Sequence, residues 1–306
     1  MDSTPRITAR SWLMVATLGF VWGGTFLVME IALRGITPYW LAAFRIGFAA
    51  LLLGGVWIAR GGKLFDTPPD RATLAATLFV GTFSGAVPFI LLAWGQQFVT
   101  SGFAGVSMAA VSLFVLPLAH FLVPGERLNL RKSAGFLLGF AGVCILVGAQ
   151  AFEKTGAALE TPGRLACLAA AACYAMSSIL IRRLPPVDPF GLAAILMIIG
   201  TCVVIPAAFA VEGLPPMPDN NTLLILAFLG LIPTAGANLM RIFVVRSAGP
   251  VFMSLVGYQV PLWSVFLGAL FLGEPLPGEL VMAMVMILSG MALSQYGAFQ
   301  RLFGSA

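Results

Sequence analysis

Residues 12–33 read WLMVATLGFVWGGTFLVMEIAL, and this stretch decides the fold. It runs 22 residues with a single charge, Glu30. A helix rises about 1.5 Å per residue, so about 20 apolar residues cross the roughly 30 Å hydrocarbon core of a bilayer. The basic start at Arg6 and Arg10 raises a cleaved leader as an alternative. The apolar run exceeds the roughly 7–15 residues of a leader core and no A-x-A-type site follows it, so a retained first helix is expected.

The same pattern recurs down the chain. Ten runs are predicted to span: Trp12–Leu33, Tyr39–Ala59, Ala72–Ala93, Gly102–Val123, Lys132–Ala149, Leu165–Ile181, Pro189–Val211, Thr222–Val244, Ala248–Leu272 and Glu279–Gly297. Proline and glycine punctuate the boundaries, as at Pro68-Pro69, Pro185-Pro186 and Pro215-Pro216. Composition agrees: 59% of residues are apolar, 9% are charged and mean hydropathy is +0.99. Typical soluble domains have roughly 45–50% and 25%. Seventeen basic and twelve acidic side chains cannot cover a soluble globule of 32 kDa. An ordinary soluble enzyme, a nucleic-acid binder and a disordered chain are excluded. A transmembrane barrel would show short alternating strands instead of continuous apolar runs. The expected class is an all-α, polytopic membrane protein.

Charge placement gives the orientation. Thirteen Lys/Arg fall with the termini and the even-to-odd connections, among them Arg60, Lys63, Arg71, Arg131, Lys132, Arg182, Arg183, Arg241 and Arg246. Three, Arg34, Lys154 and Arg164, fall on the other side, and Arg45 lies inside span 2. Basic residues favour the cytoplasm, so both termini are expected there. The four cysteines, Cys144, Cys167, Cys173 and Cys202, fall in apolar runs without metal or redox spacing and read as packed thiols.

The chain repeats itself. Gly125-Glu126-Arg127-Leu128 follows span 4 and Gly273-Glu274-Pro275-Leu276 follows span 9, with Gly142 and Gly290 sixteen residues beyond each Glu. Pro38-Tyr39-Trp40-Leu41-Ala42-Ala43 parallels Pro189-Phe190-Gly191-Leu192-Ala193-Ala194. Ser101 and Ser247 open spans 4 and 9, each followed by a proline, Pro117 and Pro261. These parallels divide the chain into a five-helix repeat at 1–149, a linker at 150–163 and a second repeat at 164–306. Five is odd, so the second half is inverted relative to the first. Inverted repeats are an architecture of secondary transporters, with the substrate site between halves near the midplane.

The run Trp22-Gly23-Gly24-Thr25-Phe26, then Pro38 and Arg45, resembles the opening signature of the drug/metabolite transporter superfamily, EamA type. Gln96-Gln97-Phe98-Val99-Thr100-Ser101, Pro117 and the Gly125–Leu128 turn resemble the rest of that family's first repeat; Gly273-Glu274, Pro275 and Gly290 resemble its second. The resemblance covers essentially the whole chain. It implies ten spans with both ends inside and export of amino acids or other small metabolites, YddG-like aromatic amino-acid exporters being the branch to compare first. Glu30 departs from the pattern, since many members carry lysine there.

Charges inside a bilayer need a reason. Two lie clearly within spans, Glu30 and Arg45, at matching depth on adjacent helices. They read as a fixed pair locking spans 1 and 2, as a gate or proton-coupling carboxylate with its partner, or as side chains snorkelling to the interface. At span midpoints stand Trp22, Phe83, Ser84, Tyr174, Ser177, Thr234, Asn238, Tyr258, Gln259 and Trp263. Either they line a cavity for a flat apolar group with a polar end, or they make helix–helix hydrogen bonds. Gly81, Gly85, Pro88, Pro117 and Pro233 permit bending, whereas Gly135, Gly139 and Gly142 read as close packing. His120 reads as an interfacial polar residue. No metalloprotease motif, intramembrane aspartate or phosphate loop is present, so neither an enzyme nor an ATP-driven pump is expected.

The expectation is a secondary transporter exporting small organic metabolites, apolar or aromatic amino acids first, by alternating access. The rival within transport is a broad exporter of hydrophobic drugs or other metabolites; outside it, a non-catalytic membrane scaffold. No cofactor, metal or nucleic acid is called for. The partners are a small-molecule substrate and the lipid bilayer of a bacterial-type inner membrane, and a monomer is compatible with the reading.

Overall fold

The computed structural model describes residues 7–65, 68–122, 129–148, 159–181, 184–253 and 255–303. Among the described residues the chain is helical apart from short connections and one isolated bridge, Phe65 to Val187. The ten spans are Ala9–Ala32, Pro38–Ala59, Arg71–Gly95, Ser101–Leu122, Leu130–Gly148, Glu160–Ile181, Pro189–Glu212, 220–253, Val256–Leu272 and Gly278–Phe303. Eight have the length and apolarity to cross a bilayer; Val256–Leu272 is apolar but 17 residues long, and Leu130–Gly148 has 19. This is an all-helical polytopic membrane protein, as the apolar runs imply.

Local signals start several helices where water begins. Thr8 and Ser11 form a capping box for span 1, and Asp70, Asp188 and Asp219 accept from the backbone N–H of Thr73, Gly191 and Thr222. Bonds to Thr73 and Thr222 hold the Asp70 and Asp219 carboxyls below their ordinary range. Pro38 and Pro189 occupy first helical positions, where a missing N–H costs nothing.

Several boundaries differ from the sequence reading. Span 3 is two helices, Arg71–Gly85 and Val87–Gly95, broken at Ala86 just before Pro88. Span 8 contains a π-helical turn, Gly230–Gly236, and continues to Met253. Ser247 therefore does not open span 9; its hydroxyl returns to the Phe243 carbonyl inside span 8. Arg241 and Arg246 lie in that helix, not in a connection. Arg164 likewise lies within span 6, 1% exposed and paired with Glu160, and not in a connection. The Gly125–Leu128 turn and residues 150–158 of the linker lie outside the described residues, as do Arg6, Lys154, Arg182 and Arg183.

The packing obeys the repeat. Span 1 packs on span 9 and span 6 on span 4; span 3 packs on span 7 and span 8 on span 2; spans 2 and 7, 4 and 9, and 5 and 10 pair directly. Exchanging the halves leaves this pattern unchanged. Spans 2 and 7 are antiparallel, because Asp188 N–H bonds the Leu64 carbonyl at one end and Glu212 reaches Tyr39 and Trp40 at the other. Equivalent helices thus run in opposite directions. Lipid is as apolar as leucine, so close contact rather than hydrophobic burial joins such helices. Gly135 and Gly290 let spans 5 and 10 touch backbone to backbone, while Leu51, Ile58, Leu137 and Phe271 face outward.

Two carboxylates of the second half tie first-half helix starts on the distal face, the one away from the N-terminus. Glu212 accepts from Thr37 Oγ1 and from the N–H groups of Tyr39 and Trp40, both at 3.2 Å. Glu274 accepts from the N–H groups of Ser101 and Gly102 at 2.7 and 3.0 Å.

Candidate functional site

A π turn leaves carbonyls without their usual partners, and polar side chains meet them here. Thr234 Oγ1 donates to the Leu229 carbonyl at 2.8 Å, and Asn238 Nδ2 donates to the Thr234 carbonyl. From span 1, Trp22 Nε1 donates to the Pro233 carbonyl at 2.9 Å. Three residues picked out at midspan therefore converge on this one turn.

Arg45 completes the group. It is 7% exposed, donates Nε to Thr234 Oγ1 at 2.9 Å and places Nη1 3.0 Å from the Met29 sulfur, a weak acceptor. Its guanidinium lies 4.7 Å from the Phe89 ring centroid, and Tyr174 is within electrostatic reach. No carboxylate bonds it among the described residues. The pairing with Glu30 inferred from depth does not form: Arg45 turns toward span 8, whereas the charges acting on Glu30 are those of Glu274 and Arg34. An unpaired buried cation costs on the order of several kcal/mol, partly offset here by a hydroxyl and an aromatic face.

The remaining midspan residues divide. Tyr174 packs against the main core, and Ser177, one turn along the same helix, is buried with its hydroxyl unpartnered. Tyr258, third residue of span 9, is half-buried against that core. Phe83 stacks on exposed Phe79 at 4.3 Å, and Ser84 bonds back to the Val80 carbonyl within its own helix. Gln259 and Trp263 sit where spans 1 and 9 touch. A methyl group on Gly19 would collide with Gln259, and one on Gly23 with Trp263. The Trp263 ring also meets Phe20 and Phe266, both about half exposed, which puts it on the outer seam. Phe89, Met29 and the Pro233 carbonyl belong to the same group, and the sequence does not mark them for it: two are apolar side chains and the third is main chain.

Both halves break the same helix. Span 3 is interrupted at Ala86 and its counterpart, span 8, at Gly230–Gly236. Discontinuous helices at corresponding positions of two repeats mark the binding region in inverted-repeat transporters. Phe89 follows the first break and Thr234 lies in the second, so Arg45 is held between them.

The sequence pattern of the EamA-like transporter family matches residues 10–148 and again 161–296. The chain is 27% identical over 290 residues to "Uncharacterized inner membrane transporter YedA" of Escherichia coli (strain K12), covering 89% of each. It is 22% identical over 286 residues to "Uncharacterized transporter YoaV" of Bacillus subtilis (strain 168), covering 93% of this chain and 96% of that one. One crystal structure, 22% identical, matches with a TM-score of 0.65 over 95% of this chain and 98% of the other, a likeness of fold.

Proposed function

The chain belongs to the EamA-like transporter family, a non-enzymatic membrane transporter built on two family repeats, and from that premise we propose that it exports small organic metabolites, chiefly apolar or aromatic amino acids, by alternating access. The observation that carries the substrate class is Arg45. A buried guanidinium with donors to spare and, among the described residues, no acid bonded to it is fitted to a solute carboxylate. Phe89, Tyr174 and Trp22 offer aromatic surface for an apolar side chain, and Thr234 and Asn238 supply polar groups beside it. The breaks in spans 3 and 8 supply points at which the two halves rock.

In this reading the repeats occupy 1–149 and 164–306 around a 150–163 linker, and both termini are cytoplasmic in an inner membrane. The distal face is then external. Flux of labelled leucine and phenylalanine through proteoliposomes tests the proposal, with phenethylamine as the analogue lacking a carboxylate. Amino-acid flux should be saturable, should fall at least tenfold in Arg45→Gln, and should exceed that of the amine. Absence of flux for every amino acid, or equal flux of amine and acid, would overturn it.

A further inference from the structure

At the distal end of span 1 the packing gathers oxygen atoms from three other segments. Spans 1 and 4 run antiparallel, and a methyl group on Gly105 would lie 3.4 Å from the Phe26 ring. One turn outward on each helix, this register brings Glu30 level with Ser101 and Gly102, whose N–H groups hold the Glu274 carboxylate. Ser101 Oγ and Glu274 Oε2 both crowd the point where a side chain on Gly268 would begin, so hydroxyl and carboxylate share one small space. Gln96, at the end of span 3, donates Nε2 to the Phe26 carbonyl at 3.0 Å and so hangs beside the same turn of span 1.

Glu30 Oε2, Gln96 Oε1 and Ser101 Oγ are all buried without a hydrogen-bond partner among the described residues. Gln96 is 2% exposed and Ser101 fully buried. Buried oxygens left unmet are costly, and two neighbouring carboxylates add repulsion that a positive charge would relieve. The basic group acting on Glu30 is Arg34, against the opposing charge of Glu274. Two acids and one base leave a net charge of about −1. The ligand atoms are all hard oxygens, which favours an alkali or alkaline-earth ion over a soft metal. A calcium site takes about 6–8 oxygens and commonly several carboxylates.

We infer that Glu30, Gln96, Ser101 and Glu274 form a binding site for one small monovalent cation of the sodium class. Glu274 comes from the second half and the other three from the first, so the bound ion draws the halves together on the distal face. Its role as a coupling ion rests on the transport reading above; its binding does not.

The test uses the purified full chain in nanodiscs at constant ionic strength, with sodium, potassium or choline chloride. Radioactive sodium binding and unfolding temperature are read together. Sodium should bind saturably and raise the unfolding temperature over choline. Glu30→Gln and Ser101→Ala should each weaken sodium binding at least tenfold while unfolding in choline close to the parent. Ser101→Ala keeps the backbone N–H that Glu274 needs, so it decides the matter if Glu30→Gln fails to fold. Sodium indistinguishable from choline, undiminished binding in Ser101→Ala, or a shift that follows pH and ignores sodium would overturn the site. Sodium binding without amino-acid flux would sink the substrate reading and leave the site standing.

Discussion

Arg45 on span 2 donates its Nε–H to Thr234 Oγ1 on span 8 at 2.9 Å, a bond that joins the first half of the chain to the second. Thr234 in turn donates its O–H to the Leu229 carbonyl, so one hydroxyl both orients the cation and repairs the π turn. Removing the hydroxyl abolishes both tasks at once, whereas a serine keeps both.

Thr234→Val should therefore cost about 1–3 kcal/mol, because it leaves a buried guanidinium N–H and a carbonyl unmet. Thr234→Ser should retain most of the stability. Thermal unfolding in detergent, compared across the two variants, checks this; equal losses would show that the hydroxyl is not the group that matters.

Trp22→Phe keeps an aromatic ring, though a smaller one, and removes the N–H that meets the Pro233 carbonyl. The expected loss is about 1 kcal/mol, in line with one net hydrogen bond. Hydrogen exchange should rise around Gly230–Gly236 rather than throughout span 1.

Spans 1 and 9 touch through glycine. Gly23→Ala places a methyl group against Trp263 and should destabilise by about 1–3 kcal/mol, as overpacking does. Gly47→Ala has open space around it and serves as the neutral control. Matched unfolding temperatures for the two would refute the contact.

Asp70 and Asp219 cap their helices with carboxyls held below the ordinary value of 3.8. A carboxyl depressed by folding stabilises fully above that value and loses its contribution as pH falls through the lower folded value. The Thr73 and Thr222 amides should therefore lose protection, relative to the intrinsic rate, only in acid. Asp70→Asn and Asp219→Asn should abolish that pH dependence at their own helices.

Ten spans and two repeats were legible because apolar length and spacing are properties of the sequence itself. Depth was legible too, which is why Thr234, Asn238, Trp22 and Arg45 were singled out. Direction around each helix was not. Glu30 and Arg45 were read at one depth, yet Glu30 lies within electrostatic reach of Glu274 and Arg34 while Arg45 bonds span 8. Gln259 and Trp263, read at the middle of span 9, turn toward Gly19 and Gly23, and Gln259 stands only four residues into the helix. The span 8–9 boundary slipped because Ser247, which can cap a helix, satisfies its hydroxyl inside one instead.

The Glu212 and Glu274 clasps divide the burden of sequence unequally between the halves. Tyr39, Trp40, Ser101 and Gly102 contribute only peptide N–H groups, which every residue but proline possesses. The carboxylates, by contrast, must be of the right length and charge. Apart from Thr37, whose hydroxyl also meets Glu212, these two clasps ask the first half for backbone alone, while they hold the second-half glutamates to one length and one charge. At these two clasps one repeat presents main chain and the other presents side chain, so the inverted halves meet there by unlike chemistry.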